Sequence, residues 1–131
     1  MVKIHGKITK LDEAENLVFG WASIIKDKAG NEIVDFQGDV ISEVELEKMA
    51  YRFVLKSRKA GEMHDVIGVG NLVESIVFTK EKMLALGLND GALPTGWWVG
   101  FKVDPSIFEK VKSGEYQMFS IGGDGVREER T

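Results

Sequence analysis

The chain contains no cysteine, which rules out disulfides, thiolate metal sites and a cysteine nucleophile. Histidine is scarce too. Only His5 and His64 occur, so chemistry that needs an imidazole has few places to go. No His-Glu-x-x-His pattern is present, and two distant histidines do not make a zinc site. Asp35 and Asp39 in VDFQGDVI lack the spacing and the distal glutamate of a calcium loop, so turn formation accounts for them. GVGN, residues 68–71, matches neither a dinucleotide fingerprint nor a P-loop. No metal and no cofactor are therefore expected. No apolar run approaches the ~20 residues of a membrane span. The N-terminus MVKIHGKITK lacks the apolar stretch of a signal peptide. An intracellular protein without a membrane partner is the expectation.

A concentrated basic surface is also missing. The net charge is −4, with both signs interspersed, which argues against a nucleic-acid partner. Lys56, Arg58 and Lys59 fall at an expected helix end, where cations complement the dipole. There is no internal repeat, no low-complexity tract and no linker rich in proline or serine. With 131 residues, of which 44% are hydrophobic and 29% charged, residues 1–131 are expected to form a single domain with one modest core.

Periodicity gives the element plan. Val2 to Thr9 reads as a short edge strand. LVFGWASII, residues 17–25, is rich in β-branched and aromatic residues and reads as a strand. Lys26 to Asn31 reads as a turn, leading into a hairpin with Glu32 to Phe36. Ser42 with Glu45 forms a capping box. Leu46, Met49, Ala50, Phe53 and Val54 then recur at helical spacing, with Gly61 as the stop. Residues 70–78 read as a strand, and Thr79 caps a short helix that ends at Gly87. Trp97, Val99, Phe101 and Val103 alternate with Trp98, Gly100 and Lys102, the period of a half-buried strand. In that strand Trp97 and Trp98 read as one core and one surface or interface aromatic. Asp104 and Pro105 open a third helix that Gly114 ends, and a last strand runs from Tyr116 to Ile121. The expected class is α+β, with mostly antiparallel strands and a few short flanking helices.

Two residues draw chemical interest. His64 lies in the glycine-punctuated loop GEMHDVIGVG. It reads either as an ordinary loop histidine or as a general base that takes a hydroxyl proton and later returns it to a leaving amine. His5 reads as an exposed residue of a polar N-terminal strand. Ser120 ends YQMFS and precedes IGG. It reads either as a strand-end serine or as a nucleophile, with glycines beyond it that let backbone amides approach a substrate carbonyl. The G-x-S-x-G elbow is absent. Of the other serines, Ser42 serves as a cap and Ser113 fits a last helical turn. Ser23 and Ser75 lie inside strands.

Several longer blocks carry a resemblance. FGWASIIKD, VDFQGDVIS, FVLKSRKAGEMHDVIGVGNLVES, GWWVGFKVD and VKSGEYQMFSIGGDGVREE follow one another along nearly the whole chain. Together they resemble the phage serine proteases of the XkdF type, a branch of the prohead (procapsid maturation) proteases. The resemblance implies a small β-barrel-like sheet with flanking helices, similar to the herpesvirus assembly proteases. It implies a serine peptidase in which His64, in AGEMHD, is the base and Ser120, in MFSIGG, the nucleophile. Amides around Ile121, Gly122 and Gly123 would hold the oxyanion. Glu74, in LVES, matches a recurrent acidic position and is a candidate to orient the imidazole. Its other reading is an exposed strand carboxylate. Glu128 or Glu129 would serve if the third group follows the serine. By the same resemblance, the substrates are phage scaffold and major capsid proteins, and the chain itself. The setting is the bacterial host cytoplasm and the procapsid interior, with a possible homo-oligomer. The competing readings are a non-catalytic assembly module that retains the fold and, less favoured, an esterase built on the same pair.

Overall fold

In the computed structural model, residues 4–34, 40–56, 59–61 and 67–121 are described, with side chains over 7–34, 40–56 and 70–117. Strands β1 (Ile4–Asp12) and β2 (Leu17–Lys26) come first. They are followed by helix α1 (Glu43–Lys56), strands β3 (Lys59–Gly61) and β4 (Ile67–Phe78), and helix α2 (Lys80–Ala85). Strand β5 (Thr95–Val103), helix α3 (Pro105–Lys112) and strand β6 (Met118–Ile121) complete the order. This is the α+β class expected from the pattern, and every strand pairing is antiparallel.

Four long strands form the sheet β1-β2-β5-β4. The short strands β3 and β6 extend the order to β1-β2-β5-β4-β3-β6, and β6 pairs back onto β1, so the strand order closes on itself. The β3–β6 seam is narrow, with two residue pairs. β1 is thus not an edge strand, and it runs three residues past the expected end. Its hairpin with β2 turns on Asp12, whose Oδ1 accepts the amides of Ala14 (3.1 Å) and Glu15 (3.2 Å). Asn16 takes the left-handed conformation (φ 57°) that asparagine tolerates better than most residues. The expected hairpin after Lys26 shrinks to one isolated bridge, Lys26↔Glu32. Phe36 lies outside the described residues.

β5 runs through the centre of the core. Its inner residues Trp97, Val99 and Phe101 are fully buried, and Val103 nearly so. Phe53 of α1 meets Trp97 and Phe101 edge-on, with centroids 5.7 and 6.2 Å away. Leu46 and Ala50, on the same face of α1, are also fully buried, as the helical spacing requires. The capping box forms as expected. Ser42 Oγ accepts the Glu45 amide (3.1 Å) and Glu45 Oε1 accepts the Ser42 amide (3.0 Å). Thr79 Oγ1 likewise accepts the Lys82 amide at 3.0 Å.

Two expectations need correction. α1 ends at Lys56, so Lys59 is not in its last turn; it opens β3 instead. Gly61 does not stop the helix but belongs to β3, where it pairs with two other strands. In addition, β5 is not simply wet on its outer side. Gly96 and Gly100 are buried, because the rings of Trp21 and Phe19 on β2 lie over them. Phe19 stacks on Trp98 (6.4 Å), Trp21 meets Trp98 edge-on (5.4 Å), and Phe78 meets Trp21 (5.8 Å). The sheet therefore has apolar packing on both faces at β2–β5–β4, and Trp98 is half-buried in an aromatic group.

Candidate active site

The site is fixed by register around β6. Ser120 pairs with His5 of β1 on one side and with Gly61 of β3 on the other. Strand alternation decides which face it occupies. The β1–β6 register is unbroken from Ile4↔Ile121 to Lys7↔Met118. Ile8 packs against the core while Lys7 is exposed. Successive strand positions face opposite ways, so positions 5 and 7 lie on the outer face together with their partners 120 and 118. Positions 4, 6, 119 and 121 lie on the inner face.

His64 lies outside the described residues, but its place in the chain matters. It follows Gly61, the partner of Ser120, by three residues, a chain reach of at most about 11 Å. Ile67, which opens β4, pairs with Gly61, so residues 62–66 connect two positions of one rung, and that rung ends on Ser120. Opposed Cα atoms in an antiparallel pair stand about 4.5–5.5 Å apart. The described strands thus bring Gly61 and Ile67, the residues on either side of segment 62–66, to the rung that carries Ser120.

Glu74 is not brought there. It is exposed on β4, opposite Gly100 of β5. The β3–β4 ladder pairs Lys59 with Asn71, so Glu74 lies three residues beyond that rung, away from Gly61. At about 3.3 Å per residue, this places it more than roughly 15 Å along the strands from the Ser120 rung. Glu74 and the Ser120 rung are thus well separated along the strands. Ile121 is placed next to Ser120 on β6. Gly122, Gly123, Glu128 and Glu129 lie outside the described residues, as do Asp35, Asp39 and Asp65.

Other serines have structural duties. Ser42 caps α1, Ser75 Oγ accepts the Trp97 indole N–H (2.9 Å), and Ser113 Oγ donates to the Lys110 carbonyl (3.1 Å). The perturbed carboxyls are structural as well. Glu45 is held below its ordinary value chiefly by the Ser42 backbone amide. Asp27 is lowered chiefly by the Asn31 amide, as it closes the turn after β2. Among the described residues, no three His, Cys, Asp or Glu side chains cluster as metal ligands. No described helix is long and apolar enough to cross a membrane.

His5 is the residue that sequence reasoning set aside. Nothing in the local pattern marks it. Its relation to Ser120 exists only through the β1–β6 register, which joins residues 115 positions apart in the chain.

The family model described as "Putative phage serine protease XkdF" matches residues 4–129. The uncharacterized protein YqbD of Bacillus subtilis (strain 168) is 33% identical over 92 residues, covering 69% of this chain. The chain spans 27% of the length of that curated relative. No solved structure matches the chain significantly.

Proposed function

Since this chain belongs to the family of XkdF-type phage serine proteases, we propose that it is a serine endopeptidase of capsid maturation in which Ser120 and His64 are the working pair. The observation that carries the reading is the rung Ile67–Gly61–Ser120, which ties the two ends of the His64 segment to the serine strand. Ser120 Oγ forms the bond to the scissile carbonyl carbon while His64 takes its proton. Amides around Ile121 to Gly123 hold the oxyanion. As the intermediate collapses, the C–N bond breaks and His64 returns the proton to the leaving amine. Water then enters by the same base and releases the acyl group from Ser120. As the group that orients His64 we favour Glu128 or Glu129, which follow the serine strand, over Glu74, whose strand leads away from the Ser120 rung.

The substrates proposed are the phage scaffold, the N-terminal segment of the major capsid protein and the chain itself. Cleavage takes place in the procapsid interior within the bacterial host. On this reading the closed strand order corresponds to the β-barrel of the herpesvirus assembly proteases.

The test is co-expression of this protein with its cognate scaffold and capsid proteins, followed by intact-mass analysis. Wild type is compared with Ser120→Ala and His64→Ala. Defined cuts in the wild type that vanish in both variants are expected. Cuts that persist in Ser120→Ala would remove it as nucleophile. Uncut substrates in every sample, procapsids included, would favour a non-catalytic assembly module.

A further inference from the structure

We propose that the edge of β4 at residues 75–77 binds an extended segment of a partner protein as an added β-strand. Strand pairing leaves that edge open. β5 covers one side of β4 from Gly70 to Phe78. β3 covers the other side as far as Asn71. Among the described residues, no strand pairs with β4 beyond Asn71 on the β3 side. Ser75 lies roughly 13 Å along the strand from Asn71, so an added strand there clears β3. In an antiparallel ladder, successive residues direct their N–H and C=O groups to alternate neighbours. Either Ile76, or Ser75 and Val77, therefore turn both groups to the open side.

A groove of about 550 Å³ lies along this edge, within the ~300–1,000 Å³ range of ligand clefts. Its lining follows the edge rather than one face of the sheet. Ser75, Ile76 and Val77 all border it, and successive strand residues point to opposite faces. The opposite wall is one stripe of α1, formed by Tyr51, Val54 and Leu55 at i, i+3 and i+4. Lys82 of α2 also borders it, tied to α1 through Glu47 (3.3 Å) and the Tyr51 hydroxyl (3.4 Å). The chemistry selects the occupant. Exposed edges are commonly guarded by charge, proline or a bulge. Ser75, Ile76, Val77 and Phe78 carry neither charge nor proline, and the bulge of β4 falls before them, between Leu72 and Glu74. Open backbone groups beside an apolar wall suit a peptide strand, with main-chain bonds to β4 and alternate side chains against α1. In an isologous pairing of this edge with a second copy, both α1 helices would compete for one seam. A lone extended segment meets no such conflict.

The inference goes beyond the protease reading and does not depend on it. The test uses the full chain carrying Ser120→Ala, so that cleavage plays no part. The probe is a fluorescent peptide with a core of alternating isoleucine and valine and lysines at both ends. Its anisotropy is expected to saturate below about 1 mM protein, and the amide NMR signals of residues 75–77 are expected to shift. Two further peptides carry N-methyl groups on alternate amides, one for each peptide edge. One should bind and the other fail, because a docked strand pairs through a single edge. Leu55→Glu, at a position 73% exposed in the groove wall, should weaken binding about 10-fold or more. Val44→Glu, on the same helix outside the groove and 62% exposed, should leave it within about twofold. No saturation by about 1 mM, or shifts confined to other residues, overturns the inference. Equal binding of the two methylated peptides overturns it too. Shifts at residues 75–77 that follow protein concentration without peptide make a second copy the occupant and likewise overturn it. None of these outcomes touches the reading of Ser120 as nucleophile.

Discussion

Gly100→Ala is the sharpest probe of the two-sided packing of the sheet. Gly100 lies within β5, where the backbone conformation accepts alanine. Space is the obstacle. A Cβ at this position would stand 2.6 and 2.7 Å from Cδ2 and Cε2 of Phe19, and 3.4 Å from the Glu74 Cβ. The ring must therefore move. It is buried, stacked on Trp98 at 6.4 Å, and Lys10 Nζ lies 4.5 Å above it. Overpacking of this kind costs about 1–3 kcal/mol. The lost stack adds to it within about 0.5–1.5 kcal/mol. Against this, alanine reduces the freedom of the unfolded chain by about 0.4–1 kcal/mol. The net expectation is a loss of about 1–3 kcal/mol. Urea unfolding followed by the fluorescence of the three tryptophans measures it as a lower midpoint at unchanged slope. In a Phe19→Ala background the obstruction is gone, and the same substitution should become neutral or stabilising by roughly 0.5 kcal/mol. Equal costs in the two backgrounds would refute the reasoning, since the coupling between these contacting residues would then be absent.

Two other substitutions test separate steps. Ser42→Ala should destabilise the protein by about 1 kcal/mol through loss of the cap, as read by urea unfolding. The partner carboxylate gives this cap a pH signature. Glu45 is depressed below its ordinary 4.5, so its contribution is fully present above that value and fades as the pH falls through the lower folded value. The stability gap between wild type and Glu45→Gln should therefore close in acid, and a gap that widened there would reverse the sign. Glu74→Gln, at a position more than roughly 15 Å along the strands from the Ser120 rung, should leave the fluorophosphonate labelling rate within about twofold of wild type. A loss of 100-fold or more would restore Glu74 to the site.

Local patterns were legible where a single element decides the outcome. The Ser42–Glu45 capping box, the Thr79 cap, the apolar face of α1 and the alternation of β5 all follow from short-range rules: the reach of a side-chain oxygen, a period of 3.6, a period of 2. The extended blocks around His64 and Ser120 carried the family assignment for the same reason, because residue order alone expresses it. Pairing partners were not legible, since a strand does not name its neighbour. β1 read as an edge strand until β6 closed against it, and Gly61 read as a helix stop until it paired with Ser120. Glu74 was named for its match to a recurrent acidic position, and only the β4–β5 register shows that it stands opposite Gly100. Gly100 read as an outward position, and only the ring of Phe19 from another strand explains why it must stay glycine. The sequence by itself determined the long elements, the apolar faces of α1 and β5 and the chemical types present. The tertiary structure decided which of them meet, because strand register is a long-range choice made by the burial of all the strands together.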